Sequence, residues 1–150
     1  MKFEFSAGGV VYKKYTGRIF VLLAQHGQHH GWVFPKGLIG DTPLRQGFEG
    51  QAKKETKEET AIREVEEETG VVAKIIEPLE PVQYWYKWED DLRKKTVYYF
   101  IMEYISEDIN NKDDEMENVE WLPIDEVEKR LTYPSDKKVW EEAKKIINKI

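Results

Sequence analysis

Three carboxylates, Glu64, Glu67 and Glu68, recur at i, i+3 and i+4 in the run Ala61-Ile62-Arg63-Glu64-Val65-Glu66-Glu67-Glu68-Thr69-Gly70-Val71. On a helix that spacing places all three on one face. Carboxylates so close repel one another unless a positive group sits among them. Hard divalent cations take oxygen ligands, and Mg²⁺ is commonly held by carboxylates together with waters and substrate phosphates. The same spacing also suits a solvated acidic helix face. Ala61, Ile62, Val65 and Thr69 fall on the adjoining face, where they can pack on a sheet.

Other residue types narrow the chemistry. There is no Cys, which excludes disulfide scaffolds, zinc–cysteine sites and thiol catalysis. The 150 residues carry 23 Lys plus Arg against 29 Asp plus Glu, a net charge of −6. That balance excludes a protein that coats nucleic acid, but not one with an anionic small-molecule substrate, because bound metal inverts the local charge. His26, His29 and His30 lie in a Gly/His-rich loop, where they can touch phosphate or simply face solvent. Aromatics cluster at Tyr84-Trp85-Tyr86 and Tyr98-Tyr99-Phe100, suited to cross-strand packing or to stacking on a base. Tyr98 and Tyr99 point to opposite faces of a strand, so at most one of them faces a site. The start has no apolar core of signal-peptide length and no stretch approaches a membrane span, so a soluble, cytoplasmic protein is expected.

These groups need a scaffold. Phe3–Val11 reads as a strand entering the Gly8-Gly9 pair, which predicts close backbone approach or a bulge. Arg18–Gln25 is a short apolar run that fits a buried strand, after a polar hairpin-like connection at 13–17. Thr56–Thr69 is the clearest helix: Thr56 and Glu59 have capping-box spacing, and Gly70 stands where a glycine stop belongs. Two aromatic strands follow, Pro81–Tyr86 and Lys95–Met102, joined by a charged turn over 88–94. Asp108–Asn118 reads as an acidic loop and Val119–Leu122 as a short strand. Ser135–Ile150 reads as a helix with Val139, Trp140, Ala143, Ile146 and Ile147 on one face. The expected class is α/β (α+β), one domain over residues 1–150 with a mixed β-sheet between helices.

The sequence resembles the Nudix hydrolase family. Its signature runs Gly, five residues, Glu, seven residues, Arg-Glu-aliphatic, any residue, Glu-Glu, any residue, Gly-aliphatic. Arg63-Glu64-Val65, Glu67-Glu68 and Gly70-Val71 match it, Glu55 stands eight before Arg63, and the first glycine fits Gly37 within Trp32-Val33-Phe34-Pro35-Lys36-Gly37. One departure is that seventeen residues, not five, separate Gly37 from Glu55. The extra twelve read as a surface-loop insertion at about 40–54.

The resemblance implies that Glu64, Glu67 and Glu68 hold Mg²⁺ or Mn²⁺, with the Gly37 carbonyl as a further ligand and Glu115, six before Trp121, as an additional acid. It implies Glu64, or else Glu68, as general base for the attacking water, and Arg63–Glu55 as an orienting ion pair. Within the family the chain looks most like the asymmetrical bis(5′-nucleosyl)-tetraphosphatases. That likeness implies Lys95 as a phosphate contact, Tyr99 and Tyr133 as base contacts, and Lys36 as a second phosphate contact. The implied reaction is metal-dependent cleavage of diadenosine tetraphosphate to ATP and AMP. The implied partner is a nucleotide small molecule, with no membrane and no duplex nucleic acid. Broader hydrolysis of nucleoside polyphosphates or RNA 5′-pyrophosphates, and a non-hydrolysing nucleotide sensor, are the alternatives.

Overall fold

The computed structural model describes residues 2–40 and 55–150, so the expected insertion lies outside the described residues from position 41 onward. In chain order the elements are β1 (Lys2–Tyr15), β2 (Arg18–His26), β3 (Trp32–Val33), β4 (Lys36–Leu38) and α1 (Lys57–Thr69). There follow β5 (Val71–Pro78), β6 (Val82–Trp88), β7 (Asp91–Glu107), β8 (Met116–Pro123), α2 (Val127–Arg130) and α3 (Pro134–Ile147).

The helix that carries the acidic face forms for local reasons. Thr56 and Glu59 cap α1 reciprocally, and Gly70 ends it in the left-handed conformation at φ 79°. A side chain at Gly70 would also run into the Asp108 carbonyl. Two hairpins close on two-residue turns whose residues all have positive φ, Thr16-Gly17 and Glu89-Asp90, the backbone that matches strand twist. The second turn is shorter than the expected 88–94, because pairing continues from Val82↔Val97 to Trp88↔Asp91.

β1 and β7 form the parallel spine of a mixed eight-stranded sheet, in register from Lys2↔Arg93 to Tyr12↔Glu103. The other edge of β1 changes partner along its length. Ser6–Gly8 pairs with β4, whereas Tyr12–Tyr15 pairs with β2. β3 in turn pairs with β2, so the two-residue step Phe34-Pro35 carries the chain from one half of the sheet to the other. Gly8 permits this crossing, since a Cβ there would overlap the Pro35 carbonyl oxygen.

Strand alternation sorts the core into two layers. Val11, Leu22, Phe100 and Met102 meet Ala61 and Val65 of α1. Val10, Val21, Leu23 and Ile101 meet Val139, Trp140, Ala143 and Ile147 of α3. The expected mixed sheet between helices is the observed architecture. β5 and α2 were not foreseen: β5 mixes apolar and charged residues without clean alternation, and α2 is a single turn. Among the described residues no helix is long and apolar enough to cross a membrane.

Candidate active site

Arg63 organises the acidic face of α1. Its Nε and Nη2 donate to the two oxygens of Glu55 at 2.7 and 2.8 Å, a bidentate pair. Its Nη1 donates to Glu64 at 2.9 Å and to Glu67 at 3.0 Å. One guanidinium therefore serves three carboxylates. That is too little positive charge for the buried members, Glu64 at 7% exposure and Glu68 at 2%. Although Glu64 is paired with Arg63, burial outweighs the shared guanidinium and its carboxyl is pushed up to about 7. Glu68 is raised well above the usual carboxylate range by burial and by the negative charges of Glu115, Glu64 and Asp113. Its Oε2 is buried with no hydrogen-bond partner.

β4 supplies the opposite wall. Gly37 stands against Glu64 so closely that a side chain would occupy the place of the Glu64 carboxylate. Glu115 arrives from the loop before β8, which is tied down on both sides. The Asp113 N–H donates to the Glu67 carbonyl of α1 at 2.7 Å, and the Gly27 N–H donates to the Glu115 carbonyl at 2.9 Å. His26 Nε2 lies 3.5 Å from a Glu115 carboxylate oxygen.

These groups line one cleft of about 800 Å³. Glu64, Glu67, Glu68, Glu115 and Gly37 border it, and so do Lys36, Lys95 and Tyr84. Lys36 Nζ sits 5.8 Å from the centre of the Tyr84 ring, and Tyr84 is the register partner of Lys95. Burial and the neighbouring Lys36 charge lower the pKa of Lys95. Farther round, Tyr133 Oη hydrogen-bonds His29 Nδ1 at 2.7 Å, and the His29 ring stacks on His26 at 4.2 Å. Thr132 fixes this rim, its Oγ1 accepting from the Trp32 N–H at 2.8 Å.

Tyr99 stands elsewhere. It shares a strand face with Lys95, but the ring is 3% exposed in the α3-side core, and its hydroxyl donates to Asp136 at 3.3 Å. Base stacking by Tyr99 is therefore corrected, because α3 covers the ring and leaves no free face. Tyr84 offers the flat surface in the cleft. Asp136 itself lines the cleft and was not singled out. Its only signal was Pro134-Ser135-Asp136, a helix start with an acid in the first turn.

The donor set fits a hard divalent cation. It offers carboxylates, one of them an orphaned buried oxygen, facing a glycine whose missing Cβ leaves room for Glu64. Among the described residues no three such groups converge at ligand spacing. Arg63 draws Glu64 and Glu67 toward itself instead. Gly37→Ala should then displace Glu64 and weaken Mg²⁺ binding by roughly ten- to a hundredfold, measured by titration calorimetry. An unchanged affinity would show that Glu64 is not held against this backbone.

The NUDIX domain family profile matches residues 2–146. The mutator-protein candidate MutT4 of Mycobacterium tuberculosis is 33% identical over 119 residues, covering 79% of this chain. The chain spans 43% of the length of that relative. Among solved structures, a C. elegans Ap4A hydrolase binary complex matches 98% of this chain and 99% of its own at TM-score 0.66 and 20% identity. The NUDIX domain of Shewanella oneidensis NrtR, complexed with ADP ribose, matches 98% of this chain and 90% of its own at TM-score 0.70 and 21% identity. The structural likenesses speak for the fold. The profile, which runs from β1 to α3 and takes in the acidic helix, speaks for descent: the chain belongs to the Nudix family.

Proposed function

We propose that this protein is a metal-dependent pyrophosphohydrolase of nucleoside polyphosphates, acting on diadenosine tetraphosphate to yield ATP and AMP. The observation that carries the reading is the cleft in which a buried carboxylate cluster and the two lysines Lys36 and Lys95 share one wall system with an aromatic ring. Carboxylates alone would repel a polyphosphate, and lysines alone would bind it without chemistry. Together they suit a phosphate chain whose reacting centre lies over the carboxylates. The fold likeness to the C. elegans Ap4A hydrolase, over nearly the whole of both chains, supports the dinucleotide choice.

Glu64, Glu67, Glu68 and Glu115, with the Gly37 carbonyl, would hold Mg²⁺ or Mn²⁺. The cation supplies charge neutralisation at phosphoryl oxygens and a lowered pKa for bound water. The rest falls to the chain itself. Lys36 and Lys95 bind phosphate oxygens, and Tyr84 presents a ring face to a base. Tyr133, locked to His29, forms the second aromatic edge. Arg63, anchored on Glu55, keeps α1 turned toward the cleft. Glu64, or else Glu68, takes the proton of the attacking water at a carboxylate oxygen. The partner is a soluble nucleotide, and the net charge of −6 argues against duplex nucleic acid.

A second reading is broader hydrolysis of nucleoside polyphosphates or RNA 5′-pyrophosphates by the same residues, since two lysines and a ring in one cleft do not by themselves demand a dinucleotide. Incubation with Mg²⁺ and a panel of dinucleoside polyphosphates, nucleoside triphosphates, RNA 5′-triphosphates and ADP ribose, with products separated by chromatography, decides between them. ATP plus AMP from diadenosine tetraphosphate, at the highest kcat/KM of the panel, is the expected result. Binding without turnover of any member would make the protein a sensor.

A further inference from the structure

Asp136 is a buried carboxylate in the cleft, 3% exposed, for which the chemistry above has no use. It stands in the first turn of α3, where the helix dipole favours a negative charge. Its Oδ1 accepts the Tyr99 hydroxyl at 3.3 Å. One turn on, Trp140 packs against the Phe34 ring at 6.3 Å, and Tyr99 meets the same ring edge-on at 6.1 Å. Phe34 is fully buried. Tyr99, Asp136 and Trp140 thus enclose Phe34 and connect β7 to α3 through it. Phe34 begins the step that crosses between the two halves of the sheet, and Lys36 follows it by two residues. The Pro35 carbonyl is fixed in turn by the Gly9 N–H at 3.1 Å. Burial raises the pKa of Asp136 above the ordinary aspartate value, and the Lys36 ammonium, the Tyr99 hydroxyl and the Phe34 backbone N–H oppose that shift.

We propose that Asp136, anchored by Tyr99, is a positioning residue that holds the Phe34–Lys36 crossing and thereby sets the Lys36 ammonium in the cleft for a substrate phosphate. This rests on the polyphosphate reading above, since it assigns Lys36 to phosphate. Tyr99 then influences substrate binding from behind the site, through Asp136, without touching the substrate.

The test is a double-mutant cycle on the full chain. Calorimetry with Mg²⁺ and the α,β-methylene analogue of ATP, in which the bond that would release AMP cannot be hydrolysed, reads affinity, and a melting curve reads the fold. Lys36→Ala and Asp136→Ala should each weaken binding about tenfold. The double variant should be no more than about threefold weaker than Lys36→Ala alone, because both act through one contact. Asp136→Asn, which keeps an acceptor oxygen, should restore binding to within about threefold of the wild type. Tyr99→Phe repeats the cycle with only a hydroxyl removed and opens no large cavity. It should weaken binding by about threefold on its own and add nothing to Lys36→Ala. Multiplying losses in either cycle, or lower melting temperatures with unchanged affinity, would overturn the positioning role and leave the polyphosphate reading intact. A wild-type protein that binds no polyphosphate would overturn both.

Discussion

Glu68→Gln should lower kcat by roughly a thousandfold or more, and the same change should raise the melting temperature of the chelated protein at pH 8. The two effects have one origin. Glu68 is 2% exposed, its Oε2 has no hydrogen-bond partner, and Glu64, Glu115 and Asp113 surround it with like charge. A neutral amide of nearly the same shape removes that repulsion, and in a domain of this size each kcal/mol so recovered raises the melting temperature by about 2–4 °C. It also removes a negative oxygen that a cation would need. A variant that loses activity through unfolding would melt lower, so the pairing of lost turnover with gained stability separates chemistry from collapse. Full turnover in Glu68→Gln would remove this residue from the mechanism.

The second large effect is the pH dependence of the chelated protein. Glu64 is held at about 7 in the fold against 4.5 for an ordinary glutamate, and Glu68 is shifted the same way. Between those values the folded state binds more protons than the unfolded chain, so stability falls as pH rises. The stabilisation is whole below about pH 4.5 and is lost as pH passes through 7. For Glu64 alone the loss is about 3 kcal/mol. Denaturant melts in chelator should therefore show a protein less stable at pH 8 than at pH 5. Millimolar Mg²⁺ should recover the difference at pH 8 and do little at pH 5, where protons already neutralise the cluster. The slope should flatten in Glu64→Gln. Equal stability at both pH values would mean that the cluster is better solvated than its burial indicates.

What could be read from the residues and what could not divides along physical lines. α1 was legible in full because its information is local: Thr56 and Glu59 cap it, Gly70 stops it, and the spacing of Glu64, Glu67 and Glu68 survives any tertiary arrangement. β7 runs farther than its apolar stretch suggested, because Arg93 and Lys94 pair as well as the tyrosines do. Lys95 and Tyr99 lie on the same strand face, as alternation requires. Alternation gives direction without depth, so it could not tell that α3 roofs one residue and leaves the other in the cleft. Tyr84 and Asp136 come to the site from separate elements far along the chain, and no spacing rule connects them to the glutamates.

The parallel pairing of β1 with β7 has a consequence in time as well as in space. Tyr12 and Glu103, hydrogen-bonded to each other at its end, are 91 residues apart in the chain. Contacts of such separation must first meet the entropy of closing a long loop, and folds that depend on them form slowly. α1 can coil early from its own caps, with its acidic face already in order. The lysines can oppose that face only once β1 has found β7 and carried β4 with it. The cleft is thus complete only when this long-range pairing is, because its glutamates belong to a locally capped helix and its lysines to strands that β1 and β7 must bring together.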